Sequence, residues 1–316
     1  MLFGLTISRA FAILLITNSH LSQYYPRPGV AAGGMIGNCI FFIVSGWALA
    51  HTVQGDKRRF LPWISRRLLR VYLPLFLVTT ILLLIGNVRF ESAFDLLREY
   101  LWPTEFWFVP AIAAFYVPVY LVARYLGLWW QMWMCAVFVL LLYFANYLIA
   151  VDLTVWSVEK TVQSKIFFYL GAMLLGTCAA SMELKSKSSA TLLYALIAGA
   201  AYVVAQKLLK APEFLEYQFM AQLLGLAFSF ALVLVFSISS FSGMLEKRLA
   251  LLINYLSSRS LCIYLVQVPM LQMSALRRKF DFPCDLVLFL AITLLLAEFL
   301  YRVDPFAKVR KLGHAS

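Results

Sequence analysis

Ile7-Ser8-Arg9-Ala10-Phe11-Ala12-Ile13-Leu14-Leu15-Ile16-Thr17-Asn18-Ser19-His20 is an apolar run that carries a guanidinium near its start and an imidazole at its end. Residues 3–22 read as a membrane-spanning helix, and an ionisable group inside such a span is costly enough to mark a site. Arg9 and His20 are eleven residues apart, which at about 100° per residue is three full turns. Both side chains therefore fall on one helix face, about 16 Å apart along the axis, roughly half the hydrocarbon thickness. The run has no basic n-region ahead of Arg9, so it reads as an uncleaved first span and not as a signal peptide.

The rest of the chain repeats the theme. Of 316 residues, 63% are hydrophobic and 13% are charged. A soluble domain carries about 25% charged residues, so this apolar surface needs lipid. The expected fold class is all-α: a polytopic membrane helix bundle of about ten spans. These are roughly 3–22, 33–53, 71–88, 105–124, 129–150, 165–182, 189–206, 217–240, 256–275 and 285–303. Residues 1–316 are expected to form a single integral membrane domain, with no stretch of polar sequence long enough for a soluble one. Trp102, Trp107, Trp129, Trp130, Trp133 and Trp156 stand near span ends, where interfacial anchoring accounts for them.

The net charge of +12 would suggest nucleic acid in a soluble protein. Here Lys and Arg collect in loops, as the positive-inside rule asks, so no nucleic-acid partner is expected. With the N- and C-termini in the cytosol, the inside loops hold the larger share, led by Lys57, Arg58, Arg59, Arg66, Arg67 and Arg70. Arg277-Arg278-Lys279 then falls outside, against the trend. The five cysteines show no CxxC and no metal spacing; four lie in apolar segments as small buried hydrophobes. No metal site is expected.

Three features carry candidate chemistry. The first is His20, whose neutral imidazole suits general-base work near neutral pH. His51 reads as a surface residue and His314 as part of a basic tail. Arg9 stays charged when buried and needs an anion or carbonyls; Glu105 and Glu298 are the main acidic candidates within spans, but Glu105 falls on the opposite side, which leaves room for a ligand anion. The second feature is Gly37-Asn38-Cys39-Ile40-Phe41-Phe42-Ile43-Val44-Ser45-Gly46-Trp47. Its small residues let helices approach closely, and Ser45 and Gly46 beside Arg9 would also help line a narrow tunnel. The third is Arg66-Arg67-Leu68-Leu69-Arg70, with Arg66 and Arg70 on one helical face. Attraction to anionic lipid explains it at about 1 kcal/mol per cation. The sharper reading is a grip on the phosphates of a cytosolic polyanion.

Taken together these segments carry a resemblance. Arg9 and His20 resemble the R-x10-H signature of the integral membrane acyltransferase family three, the bacterial carbohydrate O-acyltransferases. Phe41-Phe42-Ile43-Val44-Ser45-Gly46 is similar to its F-F-x-x-S-G segment, and Arg66 to Pro74 to its R-R-x-x-R-[IV]-x-x-P stretch. Trp107-Phe108-Val109 with Phe115-Tyr116 resembles W-[FS]-L…F-Y. Ser260-Leu261-Cys262-Ile263-Tyr264-Leu265-Val266 resembles S-x-x-[IL]-Y-L-x-H, and Tyr301 to Phe306 resembles Y-x-x-E-x-P-F. The six motifs run in order from residue 9 to residue 306. Three positions depart from the pattern: Ile112 stands for an acidic residue, Gln267 for a histidine and Asp304 for a glutamate.

The resemblance implies transfer of an acyl group, foremost acetyl, from acyl-CoA to a hydroxyl of a lipid-linked glycan or polysaccharide, in the bacterial cytoplasmic membrane. His20 and Arg9 would be the catalytic pair. The donor's phosphates would meet Arg66, Arg67 and Arg70, and its pantetheine arm Ser45 and Gly46. Trp107, Tyr116, Tyr264 and Gln267 would bind the acceptor side. Acyl-CoA is a donor substrate, and no permanently bound cofactor is expected. Partners are the carbohydrate, the acyl-CoA and the bilayer, with a homo-oligomer left open. Direct attack and a transient acyl-histidine both remain open. A transporter or flippase of a lipid-linked or small anionic substrate is the alternative function, although no ion-coupling acidic pair is evident. A membrane scaffold is a third.

Overall fold

The computed structural model describes residues 2–55, 60–85, 92–103, 105–126, 128–181, 188–238, 247–272 and 282–303. Among them are eleven α-helices and no strand: α1 (Leu2–Ser19), α2 (Gly34–Gly55), α3 (Phe60–Leu84), α4 (Ala93–Leu101), α5 (Phe108–Tyr125), α6 (Trp129–Ala150), α7 (Val162–Ser181), α8 (Ser188–Leu208), α9 (Gln218–Phe236), α10 (Lys247–Gln272) and α11 (Cys284–Val303). By length and composition, nine helices among the described residues can cross a membrane. The exceptions are α4 and α1, whose apolar stretch Phe3–Ser19 is shorter. At 1.5 Å per residue it reaches about 26 Å, at the low end of what a bilayer core needs.

Most expected spans coincide with a helix to within a few residues. Two differ in a way with a physical cause. Helix α3 starts at Phe60 and not near residue 71, and α10 at Lys247 and not near residue 256. A hydropathy reading stops where charge begins, but a helix continues past the lipid as long as its residues favour it. Pro62 lies in the first turn of α3, where no intrahelical N–H is needed, and Arg and Leu are good helix formers. Helix α4 falls in a segment expected to be a loop. Ser92 caps it by accepting the Asp95 N–H at 3.1 Å. Tyr100 packs on Phe76 and pairs with Thr80, and the Tyr72 hydroxyl donates to the Leu101 carbonyl.

The chain divides into two compact units. The first comprises residues 1–16, 33–57 and 117–257. Its centre is the crossing of α2 and α7, and it is built on absent side chains. A Cβ at Gly46 would lie 1.8 Å from the Met173 carbonyl oxygen, and one at Gly176 would lie 1.9 Å from that of Ile43. Each helix thus presses a glycine onto the other's backbone, the small-residue packing that membrane helices use in place of a hydrophobic drive. Thr177 donates to the Met173 carbonyl at 3.1 Å beside the contact, and Phe42 stacks on Tyr169.

A second anchor of this unit is Gln218, fully buried at the start of α9. Its Oε1 accepts the N–H groups of Ser157 and Val158, both at 3.0 Å, and its Nε2 donates to the carbonyls of Asp152 and Val155. One side chain therefore satisfies four backbone groups of the loop between α6 and α7. Gln222, one turn on, accepts from the Tyr143 hydroxyl at 2.6 Å and donates to Val158 O.

The second unit comprises residues 17–32, 58–116 and 258–316. Here α10 and α11 are tied by Arg259, which donates to Glu298 and lies over the Tyr301 ring at 4.2 Å. Arg302 reaches the same carboxylate at 2.8 Å, one turn along. Both acids weighed as partners for Arg9 therefore have partners in this unit, since Glu105 accepts from Gln272 at 2.6 Å. The Arg277-Arg278-Lys279 run, Lys57-Arg58-Arg59 and Asp304 lie outside the described residues.

Candidate active site

The end of α1 sets the geometry of His20. Thr17-Asn18-Ser19 replace the apolar run, and Pro26 and Pro28 oppose any continuation of the helix. The helix therefore closes at Ser19, with the His20 and Leu21 N–H groups bonding three residues back, to Thr17 O and Asn18 O, both at 3.1 Å. His20 is the first residue past the helix and not a residue within the span. The sequence reading extended the span three residues too far, because hydropathy windows pass over the turn that Asn18 makes. Arg9 lies within the same continuous helix and is half-buried there.

Asn18 fastens the segment that follows. Its Nδ2 donates to Val30 O at 2.9 Å and to Ala32 O at 3.0 Å, and its Oδ1 accepts from the Tyr25 hydroxyl at 2.7 Å. Leu21 and Tyr24 are buried, with Tyr24 against Phe289 at 5.0 Å. His20 thus sits at the mouth of a loop closed at both ends. The side chain is exposed at its edge, yet the protein around it desolvates the imidazole and pulls its pKa below the ordinary histidine value. The neutral base is then the form present at neutral pH. His51 differs: its Nε2 accepts from Trp47 Nε1 at 3.1 Å.

Arg66, Arg67 and Arg70 lie on the first turns of α3, so their i, i+3 and i, i+4 relations are real. Arg66 and Arg70 are exposed, and Arg66 donates through Nε to Pro62 O at 2.8 Å. Arg67 lies over the Trp63 ring at 5.8 Å, and Trp63 meets Tyr116 edge-on at 6.2 Å. Stacking on an aromatic face orients a guanidinium. Trp63 is the residue the sequence reading missed. Its i, i+4 spacing to Arg67 was legible; its meeting with Tyr116 on another helix was not.

Tyr264 packs its ring against Phe108 at 5.5 Å and Phe106 at 6.3 Å. Trp107 is half-buried in the turn before α5, edge-on to Phe108. Gln267 follows Tyr264 by one turn of α10 and is fully buried. His20, the three arginines, Trp107, Tyr116, Tyr264 and Gln267 all belong to the second unit; Arg9, Ser45 and Gly46 belong to the first. Ser45 is half-buried, and Gly46 faces the backbone of α7. Among the described residues, no group of three or more His, Cys, Asp or Glu side chains could hold a metal ion.

His20, the arginines of α3 and the aromatic side chains Tyr116 of α5 and Tyr264 of α10 thus share one helical unit. The family described as acyltransferase domain, acyltransferase 3, matches residues 2–302. No curated protein and no solved structure matches the chain. With nine helices fit to cross a membrane among the described residues and a family match over nearly its whole length, the chain belongs to the acyltransferase 3 family and is a multi-pass membrane acyltransferase.

Proposed function

We propose that this protein is an O-acyltransferase of the bacterial cytoplasmic membrane. It moves an acyl group, foremost acetyl, from acyl-CoA to a hydroxyl of a lipid-linked or cell-surface carbohydrate. The observation that carries the reading is His20, a desolvated imidazole held at the end of α1 by the Asn18 clasp, in a chain of this family.

His20 takes the proton of the acceptor hydroxyl as its oxygen attacks the thioester carbonyl. The carbon–sulfur bond then breaks, the acyl group stays on the sugar oxygen, and the thiolate of CoA takes up a proton. Arg66, Arg67 and Arg70 hold the donor's phosphates, with Arg67 oriented by Trp63. Tyr116 and Tyr264 supply hydroxyl dipoles toward the oxyanion, and Trp107 offers a face to the sugar.

The test is transfer of label from radiolabelled acetyl-CoA to a membrane glycan fraction by the purified protein in detergent. His20→Ala should lose at least a hundredfold in rate while keeping its melting temperature. Undiminished labelling by that variant would remove His20 from the chemistry.

A further inference from the structure

Among the described residues three glutamines lie buried, and they are not treated alike. Gln218 is 0% exposed and makes four hydrogen bonds through its amide. Gln222 is 1% exposed and uses both ends of its amide. Gln267 is also 0% exposed, yet among the described residues neither its Oε1 nor its Nε2 has a hydrogen-bond partner. Buried polar groups in folded proteins are satisfied as a rule, so one that is not calls for an explanation. A hydrocarbon side chain of the same length would fill the space with no such cost.

The surroundings say what the amide is for. Gln267 continues a polar stripe on α10, Ser260-Tyr264-Gln267, at i, i+4 and i+7 on one helix face. All three are buried. Pro269, two residues on, has no N–H to give the Leu265 carbonyl, which adds an acceptor without its helical donor to the same turn. Its neighbours along the helix, Leu265, Val266 and Met270, are apolar and buried. An amide is uncharged and presents both an acceptor and a donor, so it suits a neutral group. That group must give a proton to Oε1 and accept one from Nε2.

We infer that Gln267 is a specificity-determining residue for the acceptor, and that its amide pairs with two neighbouring hydroxyls of a neutral sugar ring. One hydroxyl donates to Oε1 and the other accepts from Nε2, the donor–acceptor match that a vicinal diol offers and a carboxylate or phosphate does not. The three side-chain torsions of glutamine let the amide swing from its buried position onto the diol. This inference rests on the carbohydrate O-acyltransferase reading above and names the part of the acceptor that α10 recognises.

The test compares Gln267→Met with Gln218→Met in the purified protein. It uses radiolabelled acetyl-CoA and, as acceptor, the lipid-linked glycan fraction of cells lacking the protein. Met keeps the length of the side chain and removes its hydrogen bonds. Gln267→Met should melt at or above the wild-type temperature, whereas Gln218→Met should melt several degrees lower. Gln267→Met should also need at least tenfold more glycan for half-maximal transfer, with the acetyl-CoA requirement unchanged within twofold.

A melting temperature lowered as far as that of Gln218→Met would mean that the amide is structural, and would overturn the inference. So would an unchanged glycan requirement. A wild-type protein that moves no label to glycan would instead overturn the acyl-transfer reading on which the inference rests.

Discussion

Replacing Gly46 by alanine tests what that glycine does. The added methyl would lie 1.8 Å from the Met173 carbonyl oxygen, against an ordinary contact of about 3.4 Å. A backbone carbonyl in the middle of α7 cannot rotate away, so α2 and α7 must part by about 1.5 Å at the crossing. Overpacking of this kind costs typically 1–3 kcal/mol, and more when backbone must move. An expected loss of about 3 kcal/mol corresponds to a fall of roughly 4–5 °C in melting temperature for a chain of this size.

The same displacement relieves the reciprocal contact of Gly176 on the Ile43 carbonyl. Gly176→Ala alone should therefore cost about as much, and the double variant well under the sum, with a coupling of about 1–2 kcal/mol. The assay is thermal unfolding of the four proteins in one detergent, read beside the half-saturating acyl-CoA concentration. A glycine lining a donor tunnel predicts the opposite pattern: an unchanged melting temperature and weakened donor use for Gly46→Ala. Strict additivity of the two substitutions would also refute the reasoning, because the packing argument makes them one contact.

Further outcomes follow from the second unit. Because desolvation lowers the His20 pKa and the neutral form is the working base, kcat/KM should rise with pH and already be level by neutral pH; a plateau reached only above the ordinary histidine value would contradict this. The same shift makes the unfolded chain bind more protons between the lowered and the ordinary value, so His20 contributes to a loss of stability as pH falls through that window, and His20→Gln should flatten that part of a melting curve against pH. Arg66→Ala with Arg70→Ala should raise the half-saturating acyl-CoA concentration at least tenfold and reduce its dependence on salt, with the acceptor requirement unchanged. Asn18→Ala removes the three hydrogen bonds that close the loop after His20; it should cost about 1–2 kcal/mol and lower turnover more than substrate affinity, as measured in steady state. Glu298→Gln should destabilise by about 1–2 kcal/mol by leaving Arg259 without its counter-charge between α10 and α11, and a melting temperature within error of wild type would place that pair among inert surface contacts.

Much of the protein was legible from composition and periodicity. The all-α multi-pass class followed from too little charge to clothe the apolar residues in water, and most helices from runs long enough to cross lipid. His20, the arginine face of α3 and the glycines of α2 could be picked out because each is costly or unusual where it stands. What the chain could not reveal by itself were facts that depend on two segments meeting. The first turns of α3 and α10 were hidden because a helix does not end where the hydrocarbon does. Trp63 against Tyr116, Arg259 against Glu298, and Gly46 against a carbonyl of α7 each join residues far apart in the sequence. The three buried glutamines state the difference most plainly. As letters they are identical; only the tertiary structure decides that two of them meet backbone and hydroxyl partners while Gln267 meets none among the described residues, because a hydrogen bond is a matter of distance and direction between groups that the sequence keeps apart.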